Sequence, residues 1–297
     1  MGTETGFGRQ TGSLLFVGNA TMLIRYRGFT ILTDPNFLHR GQRAYLGYGI
    51  TTRRRTDPAL SVHELPPLDV IVLSHTHGDH WDRVARRGLD PKTPVVTTPR
   101  AARTLARQGF ETSVGLGTWE THHLYGPGGT LAITALPARH GPWPAHLLLP
   151  PVMGSMLEFT DETGRLTLRV LISGDTLLAR ELAQIPRRFP DIDLGVVHLG
   201  GTRLLRLLTV TMNGRQGARW VELIRPRRVL PVHFDDYTAF RSPLADFRDR
   251  VGLEMDSVFG AELAELAELG LVERDAGGVR LTERGRMLGN RVFERFV

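Results

Sequence analysis

The chain has 297 residues, of which 41% are hydrophobic, enough for a full core in one large α/β domain with or without a small appendage. Its 37 Lys and Arg residues exceed its 31 Asp and Glu residues, which gives a formal net charge of +6 and favours anionic partners. Cysteine is absent, which excludes disulfides, thiolate metal sites and cysteine nucleophiles, so any metal must be held by nitrogen and oxygen.

The N-terminus shows no targeting segment. The first residues, MGTETGFGRQTGS, lack a positively charged start followed by an apolar core, so no signal peptide is expected. No apolar run approaches the roughly 18 residues of a membrane span. We therefore expect a cytoplasmic protein.

Three short apolar runs then predict a meander of β-strands, because each is bounded by Gly or Asp-Pro and is rich in residues that favour strands. They are SLLFVG (13–18), TMLIRY (21–26) and FTILTD (29–34). A long polar segment, 35–67, follows them, and a segment of this length inside a compact domain is typical of a lid or binding loop. DVIVL (69–73) predicts the next strand, and 82–88 predicts the start of a helix.

Strands and helices alternate through the rest of the chain. Strands are predicted at PVVTT (94–98), TLAITALPA (130–138), MLEFT (156–160), TLRVLISGD (167–175), DLGVVHLGG (193–201) and RVLPVHFDD (228–236). Helices are predicted at 99–109 and at 213–224, where Pro226 ends the second. This mixture predicts an α/β sandwich.

The strand DVIVL runs directly into SHTHGDHWD, which crowds histidines and an aspartate together. His75 and His77 are two residues apart, so both imidazoles point to one face if the chain stays extended. Gly78 permits a sharp turn that returns Asp79 and His80 to the same cavity. Because chance placement of these residue types in this order is improbable, the stretch predicts a metal site.

Three more predicted strands end on a candidate ligand, namely His140, Asp175 and His233. Together with the first group they supply five imidazoles and two carboxylates, which suits two zinc-like ions with one carboxylate bridging them. His233 closes the apolar run VLPV and could instead be a satisfied core histidine. His198, in VVHLGG, could act as an acid or contact substrate, or be a buried structural residue. The histidines without a motif context are interpreted as surface or loop residues: His39, His63, His122, His123 and His146.

The stretch HTHGDH fits the HxHxDH signature of the metallo-β-lactamase superfamily, and the later histidines and aspartate occur in that family's order. The chain further resembles a subset that includes ascorbate-6-phosphate lactonase and the phospholipase D acting on N-acyl phosphatidylethanolamine. That likeness rests on FVGNATMLI, ILTDP, ARHGP, ISGDT and PVHFDDYTAF, and the match covers residues 13 to 250.

The resemblance implies a four-layer αββα sandwich with two metal ions at one edge. The implied ligands are His75, His77 and His140 for the first ion, and Asp79, His80 and His233 for the second. Asp175 would bridge the ions, and Asp34 would support a ligand through a further contact. Asn19 departs from the family, because many members have histidine at this position. Zinc is the favoured metal, while manganese and iron remain open.

Two such ions lower the pKa of a bridging water, so we expect hydrolysis of an ester, lactone or phosphodiester by a bridging hydroxide. Asp79 and His198 are the candidate catalytic residues, with Asp79 placed to orient the hydroxide and accept a proton. Redox chemistry is disfavoured, because the flavodiiron branch has glutamate where this chain has His77. The alternatives are a non-catalytic binding or scaffold protein and a nucleic-acid-directed phosphodiesterase.

The sequence also bears on the substrate. The segment 141–154, GPWPAHLLLPPVMG, is apolar for a loop and follows His140 directly; it could wall a pocket, touch lipid or, most simply, pack in a homo-oligomer. The arginines at 53–55 could receive phosphate or carboxylate. We therefore expect an anionic, partly apolar small molecule as the substrate.

The chain divides into a hydrolase domain, 1–250, and a small appendage, 251–297. In the appendage AELAELAELG predicts a helix that Gly270 ends, LVERDAGGVRLT predicts a hairpin, and Thr282 can cap a last helix. This winged-helix-like pattern resembles the C-terminal segment of oxygen-independent coproporphyrinogen oxidases. Acidic residues are interspersed with its arginines, so DNA binding is disfavoured, and we expect the tail to be dispensable for catalysis.

Overall fold

The computed structural model describes residues 12–204, 208–251, 263–275, 278–282 and 284. The first of its two six-stranded sheets begins with the meander β1 (Ser13–Gly18), β2 (Thr21–Tyr26) and β3 (Phe29–Thr33). A separate hairpin of β4 (Arg43–Tyr45) and β5 (Thr51–Arg53) follows, and a 3-10 helix covers Val62–Glu64. The sheet is completed by β6 (Val70–Val72), β7 (Val95–Thr97) and β8 (Ser113–Gly115), with α1 (Arg83–Gly88) and α2 (Pro99–Ala106) between them in the chain.

The second sheet takes its strands from the following residues. They are β9 (Thr121–Gly126), β10 (Gly129–Leu136), β11 (Gly154–Thr160), β12 (Leu166–Ile172), β13 (Leu194–His198) and, after the two-stranded β14 (Arg203–Leu204) and β15 (Leu208–Thr209), β16 (Arg228–Val232). The helices here are α3 (Ile185–Arg188), α4 (Gly214–Ile224) and α5 (Leu244–Val251), with 3-10 helices at Ala145–Leu147 and Arg180–Gln184.

Three buried layers of apolar side chains hold the sheets and helices together. In β6, Val70 and Val72 face the second sheet, whereas Ile71 packs with α1 and α2 on the outer side, as the two-residue period of a strand requires. On the other side Trp220 of α4 and Phe247 of α5 cover the outer face of the second sheet. The layers therefore run helix, sheet, sheet, helix, and the predicted αββα sandwich is confirmed.

The topology brings the predicted ligands to one edge. In the first sheet β3 and β6 are parallel. In the second, β12, β13 and β16 are parallel to one another, and β10 runs in the same direction as β12 because β11 pairs antiparallel with both. Each predicted ligand stands at or just beyond the C-terminal end of one of these strands. Parallel strands end at the same edge of a sheet, so the loops that follow them can form one site.

Two expectations need correction or limits. The segment 35–67 is not a single long loop: it contains the β4–β5 hairpin, and Arg54 forms a β-bridge with Tyr237, while its role as a lid or binding loop stays a prediction. In the tail a helix over 263–268 ends at Gly270, which has φ 66°, and β17 (Val272–Asp275) pairs with β18 (Gly278–Leu281) as predicted. The predicted last helix lies outside the described residues, and the boundary at 250/251 stays a prediction. Among the described residues no helix is long and apolar enough to cross a membrane.

Candidate metal centre

The HTHGDH stretch forms a tight turn directly after β6. The backbone N–H groups of His80 and Trp81 donate to the carbonyl of His77 at 2.9 and 2.8 Å, which closes the turn. Gly78 donates its N–H to the carbonyl of Tyr45 at 2.8 Å, and a Cβ at this position would lie 2.7 Å from the Tyr45 nitrogen. Because the neighbouring backbone leaves no room for a side chain, glycine is required here.

A first cluster of three imidazoles is formed by His75, His77 and His140. Nε2 of His75 lies 2.9 Å from Nδ1 of His77, and the ring of His140 is centred 5.2 and 5.1 Å from these two rings. Nδ1 of His140 donates to the carbonyl of Val210 at 3.0 Å, while its buried Nε2 makes no hydrogen bond. A hydrogen bond of this kind fixes the ring and leaves the other nitrogen free to bind a metal.

A second cluster is formed by Asp79, His80 and His233. Nε2 of His233 lies 3.1 Å from Nε2 of His80 and 3.4 Å from Oδ2 of Asp79. Asp175 contacts the second cluster, since its Oδ2 is 3.4 Å from Nε2 of His80 and its Oδ1 is 3.5 Å from Nδ1 of His233. It is also near the first cluster, because it forms a further group of possible ligands with His75 and His80. In each of these groups the nitrogen and oxygen atoms lie within 4.8 Å of one another.

These atoms fit metal ions. The buried side-chain atoms without a hydrogen-bond partner include five in the two clusters and Asp175, namely Nε2 of His77 and His140, Oδ1 of Asp79 and Asp175, and Nδ1 of His233. Buried polar atoms are normally paired, so unpaired ones in groups whose nitrogen and oxygen atoms lie within 4.8 Å of one another are well suited to bind metal ions. Imidazole nitrogen and carboxylate oxygen together suit zinc, manganese and iron. The two clusters could therefore hold two divalent ions, and Asp175 lies near residues of both clusters.

Electrostatics point the same way. Burial lowers the pKa of His77 to about 4, so this imidazole is neutral and keeps the lone pairs that a metal needs. Burial would also lower the pKa of His80, but the carboxylates of Asp175, Asp34 and Asp79 raise it well above the ordinary 6.5. The carboxylates thus favour positive charge at the second cluster, which a bound cation would supply.

The comparisons with known proteins identify the family. A family profile described as "Beta-lactamase superfamily domain" matches residues 30–234, a range that contains every predicted metal ligand. The chain belongs to this superfamily. A second profile, "HemN C-terminal domain", matches residues 243–288, where the sequence suggests the winged-helix-like tail. The likeness to the lactonase and phospholipase D subset stays a prediction.

Relatives of this superfamily chain carry hydrolase names. A "metal-dependent hydrolase" of Deinococcus radiodurans is 26% identical over 200 residues, which cover 66% of this chain and 79% of the relative. Among solved structures, a "possible metal-dependent hydrolase" from Veillonella parvula has TM-score 0.69 and 22% identity, covering 82% of this chain and 93% of that one. The "isothiocyanate hydrolase from Delia radicum gut bacteria" has TM-score 0.66 and 21% identity, covering 84% and 92%. The structural likenesses show the shared fold.

Asp34 contacts His80 and Ser74 beside the candidate metal centre. Its Oδ1 accepts hydrogen bonds from the backbone N–H and the hydroxyl of Ser74 at 2.7 and 2.9 Å, and its Oδ2 lies 3.2 Å from Nδ1 of His80. Burial raises the pKa of Asp34, but the imidazoles of His80 and His198 outweigh burial and lower it to about 2. Asp34 therefore stays ionised and orients His80, in keeping with the supporting contact that the resemblance implies.

His198 lies beneath the second cluster. Its ring stacks on that of His80 with centroids 5.9 Å apart, its Nδ1 is 3.1 Å from Oγ of Ser173, and its Nε2 is 3.7 Å from Oδ2 of Asp34. It is fully buried. The structure thus brings His198 to the candidate centre, but on the side of His80 that faces Asp34.

Several other residues lie away from the two clusters. His122 and His123, interpreted as surface or loop residues, are on β9, a strand at the edge of the second sheet, and Trp81 packs edge-on against Phe110 with ring centroids 5.0 Å apart. Arg54 is buried and paired with Asp236, so it is not free to receive a substrate anion as the sequence suggested. The sequence gives no sign of this pair, because nothing local connects two positions so far apart in the chain.

Proposed function

We propose that the chain is a dinuclear metal-dependent hydrolase that cleaves an ester, lactone or phosphodiester bond in an anionic, partly apolar small molecule. The observation that carries the proposal is the pair of three-residue clusters, each able to hold an ion, with Asp175 in contact with His80 and His233 of the second and within 4.8 Å of His75 of the first. The names of the relatives support hydrolysis, and His77 stands where the redox branch has glutamate.

When bound, two divalent cations would supply a water of lowered pKa and neutralise charge that develops at the attacked centre. The protein contributes the proton acceptor, for which we propose Asp79. Its Oδ1 is buried without a hydrogen bond, while its Oδ2 lies 3.4 Å from Nε2 of His233, so the carboxylate is held on one side and open on the other. Such an arrangement can orient an attacking water and accept its proton.

For His198 we propose a positioning role in place of direct contact with substrate. Its two neighbours, Ser173 and Asp34, are themselves buried, and its ring lies under His80. Its pKa is lowered by burial, so it is neutral and adds no positive charge to the centre. Its effect on the reaction would therefore run through the orientation of Asp34 and His80.

An apolar rim beside the centre supports a substrate with an apolar part. Tyr45, whose carbonyl binds Gly78, and Tyr48 are exposed, as are Leu147 and Leu148 in the loop after His140. The hydroxyl of Tyr48 donates to the carbonyl of Leu148, which joins the two segments. Exposed apolar side chains grouped around a polar site are typical of ligand-binding surfaces.

Metal content and turnover test the proposal together. Protein purified without added metal should contain two transition-metal ions per chain by mass spectrometry and should hydrolyse at least one member of a panel of esters, lactones, phosphodiesters and isothiocyanates. A His75→Ala, His80→Ala double variant is the matched control, because it removes one ligand from each cluster. Absence of metal in the wild type would refute the proposal, and metal without any turnover would favour a binding or scaffold protein.

A further inference from the structure

A buried arginine lies behind the second cluster and is bound on several sides. The side chain of Arg54 has 0% exposure, and its Nη2 is 3.2 Å from Oδ1 of Asp236. Its Nη1 donates to Oδ1 of Asn36, its Nε donates to the carbonyl of Thr56 at 3.3 Å, and its guanidinium carbon is 5.2 Å from the ring centroid of Tyr237. A charge this deeply buried is costly unless it is paired, and even a paired buried charge seldom adds net stability. The network around Arg54 is therefore better explained by a role in positioning other residues.

One arm of this network reaches the HTHGDH turn through Asn36. The side-chain amide of Asn36 donates to the carbonyl of Gly78 and to Oδ2 of Asp82, both at 3.1 Å. Its Oδ1 accepts from Arg54 and, at 2.8 Å, from the hydroxyl of Tyr237. The two acceptor contacts fix which way the amide faces, so the N–H groups must point at the turn.

The other arm runs through Asp236 and Asn19. Oδ2 of Asp236 accepts the backbone N–H of Asn19 at 2.8 Å, and Nδ2 of Asn19 donates to the carbonyl of Asp79 at 2.5 Å. The carbonyl of Asn19 accepts the backbone N–H of His233 at 2.9 Å. Asn19 adopts φ 59°, a left-handed conformation that asparagine tolerates better than most residues. The second arm thus ends on the backbone of Asp79 and His233 in the second cluster, whereas the first arm ends on Gly78, between His77 and Asp79.

The first cluster is held by different contacts. Nδ1 of His75 lies 3.0 Å from Oγ of Ser74, and Nδ1 of His140 donates to the carbonyl of Val210. Among the described residues, no hydrogen bond joins Arg54, Asp236 or Asn19 directly to the three histidines of the first cluster. Ser74 contacts both clusters, since its Oγ also lies 3.4 Å from Nδ1 of His80, but the contacts of Asp236 and Asn19 lead to the second cluster.

We propose that Arg54 is a positioning residue mainly for the second metal ion, acting through Asp236 and Asn19 on Asp79 and His233. The inference rests on the proposed metal centre. A guanidinium is needed because its planar fork binds Asp236 and Asn36 at once, whereas an ammonium is a point charge without that geometry. Space for the fork exists because residue 18 is glycine, since a Cβ there would lie 2.5 Å from Nη2 of Arg54.

The test isolates each cluster and then changes the arginine. In a His77→Ala background only the second cluster keeps its three residues, and in a His233→Ala background only the first does. In the His77→Ala background, which keeps the second cluster, adding Arg54→Lys should raise the Kd for Zn²⁺ about 10- to 100-fold, the range seen when outer contacts of a metal ligand are removed. In the His233→Ala background, which keeps the first cluster, the Kd should change by much less. Calorimetric titration with Zn²⁺ measures both.

Arg169→Lys is the matched control, because Arg169 is also an arginine in an ion pair, 2.9 Å from Glu158 and largely buried, but it belongs to β12 away from the site. Asp236→Asn is a second, isosteric test and should give the same split. Equal weakening in both backgrounds, no weakening in either, or loss of folding in both the Arg54 and Asp236 variants would overturn the inference. If neither background binds Zn²⁺ before Arg54 is changed, the proposed metal centre itself fails.

Discussion

Replacing Asp82 by alanine should strongly destabilise this chain. Asp82 caps α1, where its Oδ1 accepts the backbone N–H groups of Val84 and Ala85, both at 2.7 Å. Its Oδ2 accepts the backbone N–H groups of Phe37 and Leu38 at 2.5 and 2.8 Å. Burial raises the pKa of Asp82, against the effect of these backbone hydrogen bonds, so the contacts must offset a real desolvation cost.

The magnitude follows from these contacts. Loss of the helix cap costs about 1 kcal/mol. The N–H groups of Phe37 and Leu38 would each lose a charged acceptor in a buried place, at about 1–3 kcal/mol apiece. The sum is about 3–7 kcal/mol, and a loss of about 5 kcal/mol corresponds to about 10–20 °C in Tm for a chain of this size.

Thermal unfolding followed by circular dichroism near neutral pH measures the loss. Asp161→Ala is the control: Asp161 also accepts several hydrogen bonds, from Thr163 and Arg165, but in an exposed turn where water replaces them. Its Tm shift should be a small fraction of the Asp82 shift. Equal shifts in the two variants would refute the reasoning, because they would show that burial adds nothing to the hydrogen bonds of Asp82.

Three further predictions concern the metal centre and the tail. Asp175→Ala should lower the affinity for both ions by at least about tenfold, since a carboxylate near both clusters is lost. Anomalous scattering that shows one ion at full occupancy would contradict this. Asp79→Asn should reduce turnover on the best substrate by on the order of a hundredfold, whereas His123→Ala should change little, and equal activity of the two would exclude Asp79 as proton acceptor. Truncation after Val251 should leave metal content unchanged, and a folded, metal-free product would show that the tail supports the centre.

Much of the fold follows from local pattern. The predicted strands 13–18 and 21–26 are β1 and β2, and the predicted helix 213–224 is α4, with Asn213 as its cap. Each has a clear period and turn residues at its ends. The edge strand β8 was missed because it has only three residues, and β9 was missed because it is at most partly buried, so its sequence carries few apolar residues.

The candidate site divides in the same way. The seven predicted metal ligands all belong to short sequence motifs, which is why the sequence could identify them. The structure brings their side chains together. The support is not local: Arg54 meets Asp236 across the fold, and Asn19 meets Asp79 through the backbone carbonyl of the latter. Contacts of this kind depend on tertiary structure, and a run of three arginines in sequence is more typical of an exposed surface.

The proposed ligands come from both sheets, and this has a consequence for folding of the protein during its synthesis. His80 is made early, yet its neighbour His233 lies 153 positions later in the chain. A nascent chain that has exposed only the HTHGDH turn offers a cation a few ligands and no enclosure. The complete set of proposed ligands exists only when β16 has been synthesised and has joined its sheet. If these residues bind two ions as proposed, a chain that stalls before β16 would lack one of the ligands of the second ion.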